Sequence, residues 1–236
     1  MKSLLLYNNH ESILQIPPDD KLNVCVCENI GEVHYAYPYD SQIEYLQSTG
    51  TQWIDTGFKH DQNTRFVAKF EVLNVPYNQP RYIDPFGSWG DVKAASGTNY
   101  GKMKGIESNP SNGRWQSYYG IMGKSKALST SITRYGIHTI DFNKNVHTMD
   151  GYSVTHDAQT FTSKYNDIIF GVTGYTGVGG CNGYFKFYYF QIYDNGTLLR
   201  DFIPVRKNGI GYMFDNVSGR LFSNAGKGKF ILGPDI

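Results

Sequence analysis

Six aromatic residues between positions 77 and 123 are the side chains of this sequence most suited to binding a ligand. They lie among glycine, serine and asparagine residues and are Tyr82, Trp89, Tyr100, Trp115, Tyr118 and Tyr119. Exposed aromatic rings beside amide groups bind sugar rings, and they also bind protein partners. The alternative is that Trp115 and half of the tyrosines belong to the core. The sequence predicts a ligand-binding surface here and leaves the ligand open.

Acid–base catalysis is not indicated by the carboxylates. Glycoside hydrolysis uses two carboxylates about 5–10 Å apart on one face, which a single strand provides through acids at alternate positions. Glu44, Glu71 and Glu107 have no second acid two residues away. Composition alone leaves a Ser/His/Asp triad open, but the chain has no Gly-x-Ser-x-Gly nucleophile elbow. We therefore expect a protein without enzymatic activity.

Metal and cofactor sites are not indicated either. Cys25, Cys27 and Cys181 are too few for a disulfide framework, and no Cys-x-x-Cys or paired histidines suggest a zinc site. The glycine-rich segment 171–183 lacks the Gly-Lys-Ser/Thr ending of a phosphate-binding loop. No Asp-x-Asp-x-Asp-Gly run for calcium is present, and Asp150–Gly151 is better explained as a turn. We expect free thiols, no cofactor and no metal.

The charge balance argues against a polyanionic partner. The chain has 22 Lys and Arg residues against 21 Asp and Glu, so its net charge is +1. Nucleic-acid binding usually shows a clustered basic stripe. The lysines at positions 102, 104, 124 and 126 instead lie among glycine and serine, which is typical of a solvated loop. We expect no nucleic-acid partner.

No segment of the sequence is suited to crossing a membrane. A spanning helix needs about 20 apolar residues. The opening MKSLLLY is shorter than the apolar region of about 7–15 residues in a signal peptide. We expect no membrane insertion, and a chain that is made in the cytoplasm and leaves it only within a larger assembly or by lysis.

Strands must position all of these residues, because no window has helical periodicity. Short β-rich runs recur from residue 43 to the end, separated by turn residues. Asn195–Gly196 predicts a type I′ turn that joins strands at 184–193 and 197–203. Segment 137–154 predicts a three-stranded meander. Pro204 has no amide donor, so it predicts a strand end or an edge.

This pattern predicts an all-β fold in which two antiparallel sheets form a jelly-roll sandwich. We place the sandwich at residues 43–236. Residues 1–42 are expected to form a small β-hairpin unit that precedes it, with a linker at 37–41. The small unit is too short to bury a good core, so we expect it to lean on the main domain or on a partner.

Three segments resemble one known family. They are IEYLQSTGTQWIDTGF at 43–58, the meander at 137–154 and the closing segment 183–228. Together they are similar to the laminin-G-like, concanavalin A-like jelly-roll domains encoded by bacteriophages and their gut-bacterial hosts. Residues 59–130 match this family only loosely, and residues 1–42 do not match it. The resemblance implies a two-sheet adhesion domain that is common on phage virion appendages and presumed to bind glycans. The carboxylate pattern of laminarinase-type catalysis is absent.

The resemblance leads to a specific expectation of function. We expect a bacteriophage virion structural or adhesion protein that displays a lectin-like domain for host or mucosal glycans. It would reside in the virion after synthesis in the bacterial host cytoplasm. Residues 1–42 would bind other virion proteins, and we expect a homo-oligomer, for which a trimer would suit a fibre. The alternative is a bacterial carbohydrate-binding module at the cell surface.

Overall fold

The computed structural model describes most of the chain beyond residue 37. The described residues are 24–25, 34–35, 37–74, 82–89, 92–93, 99–100, 102–109, 112–121, 125–174, 177–178 and 183–236. The chain divides into two compact units, Met1–Pro38 and Tyr39–Ile236. In the first unit, β1 (Val24–Cys25) and β2 (His34–Tyr35) form an antiparallel pair. The remainder of the hairpins predicted for 1–42 lies outside the described residues, as do Cys27 and Cys181.

The second unit contains a smaller sheet of eight strands. These strands are β5 (Ile54–Asp55), β7 (Phe86–Trp89), β10 (Lys102–Ser108), β11 (Trp115–Ile121), β12 (Ser125–Ala127), β16 (Ile168–Ile169), β17 (Thr173–Gly174) and β18 (Gly177–Val178). Their main order in space is β12-β11-β10-β7-β16-β5. Strand β17 runs parallel to β7 and antiparallel to β18. A separate pair consists of β8 (Val92–Lys93) and β9 (Asn99–Tyr100).

A larger sheet of eleven strands faces the smaller one. Its strands are β3 (Ser41–Gln42), β4 (Leu46–Gln47), β6 (Thr64–Val72), β13 (Gly136–Asn143), β14 (Val146–Met149), β15 (Tyr152–Thr155), β19 (Phe185–Asp194), β20 (Thr197–Lys207), β21 (Ile210–Asp215), β22 (Arg220–Phe222) and β23 (Ile231–Leu232). The main order is β15-β14-β13-β6-β19-β20-β21-β22. Strand β4 pairs with β19 and β23, and β3 pairs with β20.

Aromatic side chains fill the space between the two sheets. Strand β6 alternates buried and half-buried residues along its whole length, as expected when one face packs on a core. The Phe66 ring lies 5.6 Å from Phe86 of the smaller sheet and 5.6 Å from Phe190 of its own sheet. The described residues contain no helix, and so none that could cross a membrane. The predicted all-β sandwich of two antiparallel sheets is confirmed and is consistent with a jelly roll.

Both turns that the sequence indicated are present. Asn195 and Gly196 have φ values of 47° and 82° and connect β19 to β20. Asp150 and Gly151 have φ values of 48° and 83° and connect β14 to β15 within the predicted meander. Positive φ at both central residues is what a type I′ turn requires, and Asn, Asp and Gly tolerate it best.

Pro204 lies inside β20, so the predicted strand end is wrong. Strand β20 pairs with β19 as far as Phe202 and with β3 from Val205 onward. Between these two stretches, the Pro204 carbonyl accepts a hydrogen bond from the amide of Ile43 at 3.1 Å. A full antiparallel pair exchanges two bonds. The proline therefore costs the ladder one bond at the point where β20 changes its neighbour.

Lysines predicted for a solvated loop are instead strand residues. Lys102 and Lys104 lie in β10, and Lys126 lies in β12. The side chain of Lys104 has no exposed surface at all. Alternation along β10 turns this side chain inward between the sheets, which the composition of the segment does not reveal. Lys124 lies outside the described residues.

The sandwich begins at Tyr39, earlier than the predicted boundary at residue 43. The Tyr39 ring packs edge-on against Phe214 with 5.0 Å between ring centres. The amide of Asp40 donates to the carbonyl of Arg206 at 2.8 Å, and β3 follows directly. Residues 39–42 therefore belong to the larger sheet and do not form a linker.

The two ends of the second unit meet. A backbone bridge joins Ile43 to Asp235. The amide of Ile236 donates to the carbonyl of Gln42 at 3.1 Å. The last residues of the second unit therefore lie beside its first strand, β3, in the larger sheet.

Candidate functional site

The outer face of the smaller sheet carries the most concentrated set of polar side chains near the predicted aromatic residues. Strands β10 and β11 pair so that Glu107 lies opposite Gln116 and Gly105 lies opposite Tyr118. Strand β12 adds Ser125 opposite Tyr118. Alternation turns these side chains away from the core. We call this set the Glu107 face; its members are Gly87, Gly105, Glu107, Gln116, Tyr118 and Ser125.

A hydrogen-bond network orients the polar side chains of the Glu107 face. The Tyr118 hydroxyl lies 3.1 Å from Oε1 of Glu107 and 3.4 Å from Oε1 of Gln116, so it can donate to either. The Ser125 hydroxyl donates to Oε1 of Gln116 at 3.3 Å. Among the described residues, nothing bonds to Oε2 of Glu107 or to the amide nitrogen of Gln116. One acceptor and one donor group are thus oriented and left for a ligand.

Burial fixes the protonation of this network. It raises the pKa of the Glu107 carboxyl, while the hydrogen bond from Tyr118 acts in the opposite direction. It also raises the pKa of the Tyr118 hydroxyl, and the charges of Glu107 and Asp84 raise it further. The hydroxyl therefore keeps its proton at neutral pH and serves as a donor to the carboxylate.

Two glycines give this face a strip without side chains. Gly105 of β10 pairs with Gly87 of β7 on one side and with Tyr118 of β11 on the other. Gly87 has a φ of 121°, and a Cβ there would lie 2.9 Å from the carbonyl oxygen of Lys104. Both the backbone conformation and the close approach therefore require glycine at position 87. The result is a shallow strip of bare backbone beside the Tyr118 ring.

A second acid lies near this face. The backbone bridge between Ile83 and Ser108 places Asp84 next to the end of β10 that carries Glu107. Asp84 is buried, with an exposed fraction of 2%, and its charge contributes to the raised pKa of Tyr118. Sequence reasoning considered acids only along one strand and did not find this neighbour across two strands.

The structure divides the six predicted aromatic residues. Trp115 and Tyr119 point into the core, with exposed fractions of 0% and 3%. The Trp115 indole donates to the Thr133 carbonyl at 2.7 Å, and the Tyr119 hydroxyl donates to the Gln62 carbonyl at 3.1 Å. Neither ring is exposed as a ligand surface requires, because both occupy odd positions of β11, which face inward.

The other four predicted residues lie nearer to the surface or outside the described side chains. Tyr118 belongs to the Glu107 face and is also largely buried, with an exposed fraction of 9%. Tyr82 and Trp89 are half-buried, and the Trp89 ring packs over Gly174, where a Cβ would lie 3.2 Å from its Nε1. Tyr100 lies in β9, where only the backbone is described. Of the predicted set, only Tyr118 therefore joins the polar network.

Sequence reasoning missed Glu107 and Gln116 as partners. They are nine positions apart on different strands, and only the β10–β11 register makes them neighbours. The available signal was the alternation of Gln116 and Tyr118 along one strand, which places both on the same face. Glu107 had been set aside because no second acid follows it along its own strand.

A Ser/His/Asp cluster exists in the interior, but its geometry is not that of a catalytic triad. Nδ1 of His60 lies 2.7 Å from Asp167, and the Ser88 hydroxyl lies 3.4 Å from the same nitrogen. In a triad the serine and the aspartate contact opposite ring nitrogens. Nε2 of His60 is buried without a partner among the described residues, and all three side chains are sealed from solvent. The three side chains therefore do not form a catalytic triad in this arrangement.

The outer face of the larger sheet is aromatic, but its side chains already bind one another. A cation lies over each of three tyrosine rings: Arg65 over Tyr193, Lys69 over Tyr188 and Lys186 over Tyr45, at 5.1, 4.8 and 4.5 Å. Arg65 also makes a two-pronged pair with Asp141, and Lys186 pairs with Glu71. A sugar would have to displace these cations to stack on the rings they cover. This face is therefore a poorer candidate than the Glu107 face.

The described residues contain no group of three or more His, Cys, Asp or Glu side chains that could hold a metal ion.

Comparison with known proteins adds no assignment. No protein-family model matches the sequence, and a search of curated proteins finds no significant match.

Proposed function

We propose that this protein is a lectin-like adhesion protein that binds a carbohydrate at the Glu107 face without cleaving it. The observation that carries the proposal is the oriented set of Glu107, Gln116 and Tyr118 beside the glycine strip. Sugar hydroxyls both donate and accept hydrogen bonds. Oε2 of Glu107 can accept from one hydroxyl, and the amide nitrogen of Gln116 can donate to another.

The shape of the face supports the same proposal. Gly87 and Gly105 are buried and place no side chains over the sheet beside Glu107 and Tyr118. The Tyr118 ring beside them is 9% exposed, so its contribution is mainly its hydroxyl group, which orients Glu107 and Gln116. Because the side chains are held by one another before a ligand arrives, little rotamer freedom is lost on binding.

Binding without hydrolysis follows from how the two acids are held. Asp84 is buried, and Glu107 already accepts a hydrogen bond from Tyr118. Neither arrangement presents an acid and an opposing nucleophile to a glycosidic oxygen, which a hydrolase requires. The enzyme hypothesis is thus the weaker one for this face.

The proposal extends to a bacteriophage virion. Its support is the resemblance of segments 43–58 and 183–228 to the laminin-G-like domains of phages and gut bacteria. In this proposal residues 1–42 bind other virion proteins, and the chain assembles as a homo-oligomer such as a trimer. The alternative is a carbohydrate-binding module at a bacterial surface, which the same face would serve equally well.

The carbohydrate proposal is tested with full-length protein on a panel of neutral, amino and acidic glycans. Glu107→Ala should weaken binding of any retained glycan roughly tenfold to hundredfold, since hydrogen bonds to charged groups contribute about 1.5–3 kcal/mol. Gln116→Ala should weaken it roughly twofold to tenfold, since a neutral hydrogen bond contributes about 0.5–1.5 kcal/mol. The matched control is Lys69→Ala on the opposite sheet, which should leave affinity unchanged. Equal binding by all four proteins, or a shortened glycan after incubation, would contradict the proposal.

The virion proposal needs a different measurement. Mass spectrometry of purified phage particles from a host that carries this gene should find the chain at a stoichiometric copy number. Its absence from particles, together with its presence in the bacterial envelope fraction, would favour the cell-surface alternative.

A further inference from the structure

A cluster of basic side chains is buried at one edge of the sandwich, away from the Glu107 face. It consists of Lys104 on β10, His147 on β14 and His156 just after β15, with exposed fractions of 0%, 0% and 4%. Tyr119 and Ser117 on β11 lie among them and are equally buried. Burying groups that can carry positive charge is costly unless each is neutral or well paired. We call these five residues the basic cluster.

Two main-chain carbonyl groups hold the Lys104 side chain of the basic cluster in place. Its ammonium donates to the main-chain carbonyls of Thr64 and Lys144, the latter at 2.9 Å. Burial lowers its pKa from the usual 10.5 to about 7. The charges of three aspartates oppose this shift: Asp61, Asp141 and Asp167. Below neutral pH a positive charge is thus already present between the sheets.

A second proton on the His147 ring would have no hydrogen-bond acceptor among the described residues. Its ring stacks on Phe142 with 4.2 Å between centres and an angle of 2°. Nε2 lies 3.2 Å from the Lys144 carbonyl and so carries the hydrogen, while Nδ1 is buried without a partner among the described residues. Burial holds the pKa of His147 well below its usual value, and the charges of Lys104 and His156 lower it further.

His156 is coupled to His147 and to the edge of the sheet. Its Nε2 lies 2.8 Å from the Ser117 hydroxyl, and its ring lies 4.8 Å from that of His147. Burial lowers its pKa to about 4, and the charges of Lys126 and Lys104 act in the same direction, against that of Asp157. Both histidines are therefore neutral while this edge stays closed.

Strand β14 holds this edge to β13, and its Met149 side chain is buried in the core. The Lys126 ammonium, from β12 of the smaller sheet, donates to the Thr155 carbonyl at 2.6 Å. Asn145 and His156 exchange two hydrogen bonds at 2.8 Å each. Strand β15 is the last strand on its side of the larger sheet, and most of its side chains are exposed. Short edge strands with exposed side chains are the part of a sheet that opens most easily.

We propose that residues Val146–His156 form an acid-opened flap, which detaches from β13 and from the smaller sheet when His147 and His156 take up protons beside Lys104. The open form lets both rings reach water, so it binds protons that the closed form rejects. The closed form is therefore fully favoured above the usual histidine value of 6.5. It loses this advantage as the pH falls toward 4, by about tenfold per pH unit for each proton taken up.

Hydrogen exchange of the full-length protein between pH 7 and 4.5, corrected for the intrinsic exchange rate, tests the flap. Protection of amides in β14 and β15 should fall about tenfold to hundredfold per pH unit, while β6 and β19 keep theirs. The double variant His147→Phe, His156→Gln should abolish this dependence. Phenylalanine keeps the stack on Phe142, and glutamine keeps a partner for Ser117. His60→Gln is the matched control, because His60 is buried beside Asp167, outside both the flap and the basic cluster; the flap of this variant should keep the pH dependence of the unaltered protein.

Three results would overturn the proposal. One is a loss of protection spread evenly over β6, β19 and the flap, which would indicate global acid unfolding. Another is no loss in the flap above pH 4.5. The third is a double variant that retains the pH dependence. Should that variant fail to fold, His156→Gln alone must reduce the dependence from two protons toward one, and an unchanged slope would equally reject the flap.

Discussion

Lys104 of the smaller sheet donates a hydrogen bond to the main-chain carbonyl of Thr64 in the larger sheet. A single side chain thus crosses the whole interior of the sandwich. Its ammonium also lies 5.4 Å from the Tyr119 ring centre and 5.9 Å from that of Phe66. Cation–π contacts and two carbonyls offset part of the cost of removing this charge from water.

Replacing Lys104 with methionine should therefore alter the pH dependence of stability above neutrality. The folded pKa of about 7 lies below the usual 10.5, so the unfolded chain binds more protons in this window. Stability of the unaltered protein should rise with pH, by up to about 1.4 kcal/mol per pH unit. Lys104→Met should remove this slope between pH 7 and 9 in urea denaturation. Lys69→Met, on the outer face, should keep it, and a persisting slope in the Lys104 variant would refute the assignment.

Replacing Gly196 with valine should destabilise the closing hairpin by about 1–3 kcal/mol. The cost is conformational, because Gly196 has a φ of 82° and nothing lies within 4 Å of a Cβ built there. Thr197→Val, one residue later and in β20, should change stability by less than about 0.5 kcal/mol. Equal unfolding midpoints for the two variants would show that the turn tolerates a β-branched residue.

Substitutions of Trp115 and Tyr118 should have different effects: the first should lower stability, and the second should weaken glycan binding. Trp115→Phe removes the hydrogen bond to the Thr133 carbonyl and part of a fully buried ring, so it should cost about 1–3 kcal/mol of stability, with no change in glycan affinity. Tyr118→Phe removes the hydroxyl that orients Glu107 and should weaken glycan binding with a smaller effect on stability. Calorimetry and thermal unfolding of both variants would reveal the opposite pattern if Trp115 contacted the ligand.

Residues 39–42 should matter to the stability of the sandwich. A chain that begins at Tyr39 keeps the ring contact with Phe214, the bond from Asp40 to Arg206 and strand β3. A chain that begins at residue 43 loses all three and should be less stable by about 2–4 kcal/mol. Comparable denaturation midpoints would mean that these contacts contribute little.

The strands and turns of this fold were accessible from sequence because their signals are local. Asn195–Gly196 and Asp150–Gly151 have the only residue types that adopt positive φ easily, and apolar runs flank both. Pro204 was misjudged for the opposite reason. Its place inside β20 depends on where that strand exchanges β19 for β3, and β3 lies far away in sequence.

The candidate site was only partly predictable. Its region was predicted from the aromatic residues, but Trp115 and Tyr119 face the core, while Tyr118, although 9% exposed, lies on the other face of β11. Glu107 becomes significant only through its register with Gln116. Lys104 was assigned to a loop because composition does not show that its side chain points from the smaller sheet into the space between the two sheets. Register and burial depend on how distant segments of the chain pack together, so they cannot be read from the local sequence pattern.

The bridge between Ile43 and Asp235 has a consequence for how this sandwich can be used. Because the chain enters and leaves the larger sheet at neighbouring positions, the sandwich is a cassette with both connections on one side. Such a cassette can be placed in a surface loop of another protein without stretching either connection. The same closeness permits circular permutation: a short link between residues 39 and 236, with new ends cut at the exposed Asn195–Gly196 turn, should yield the same fold.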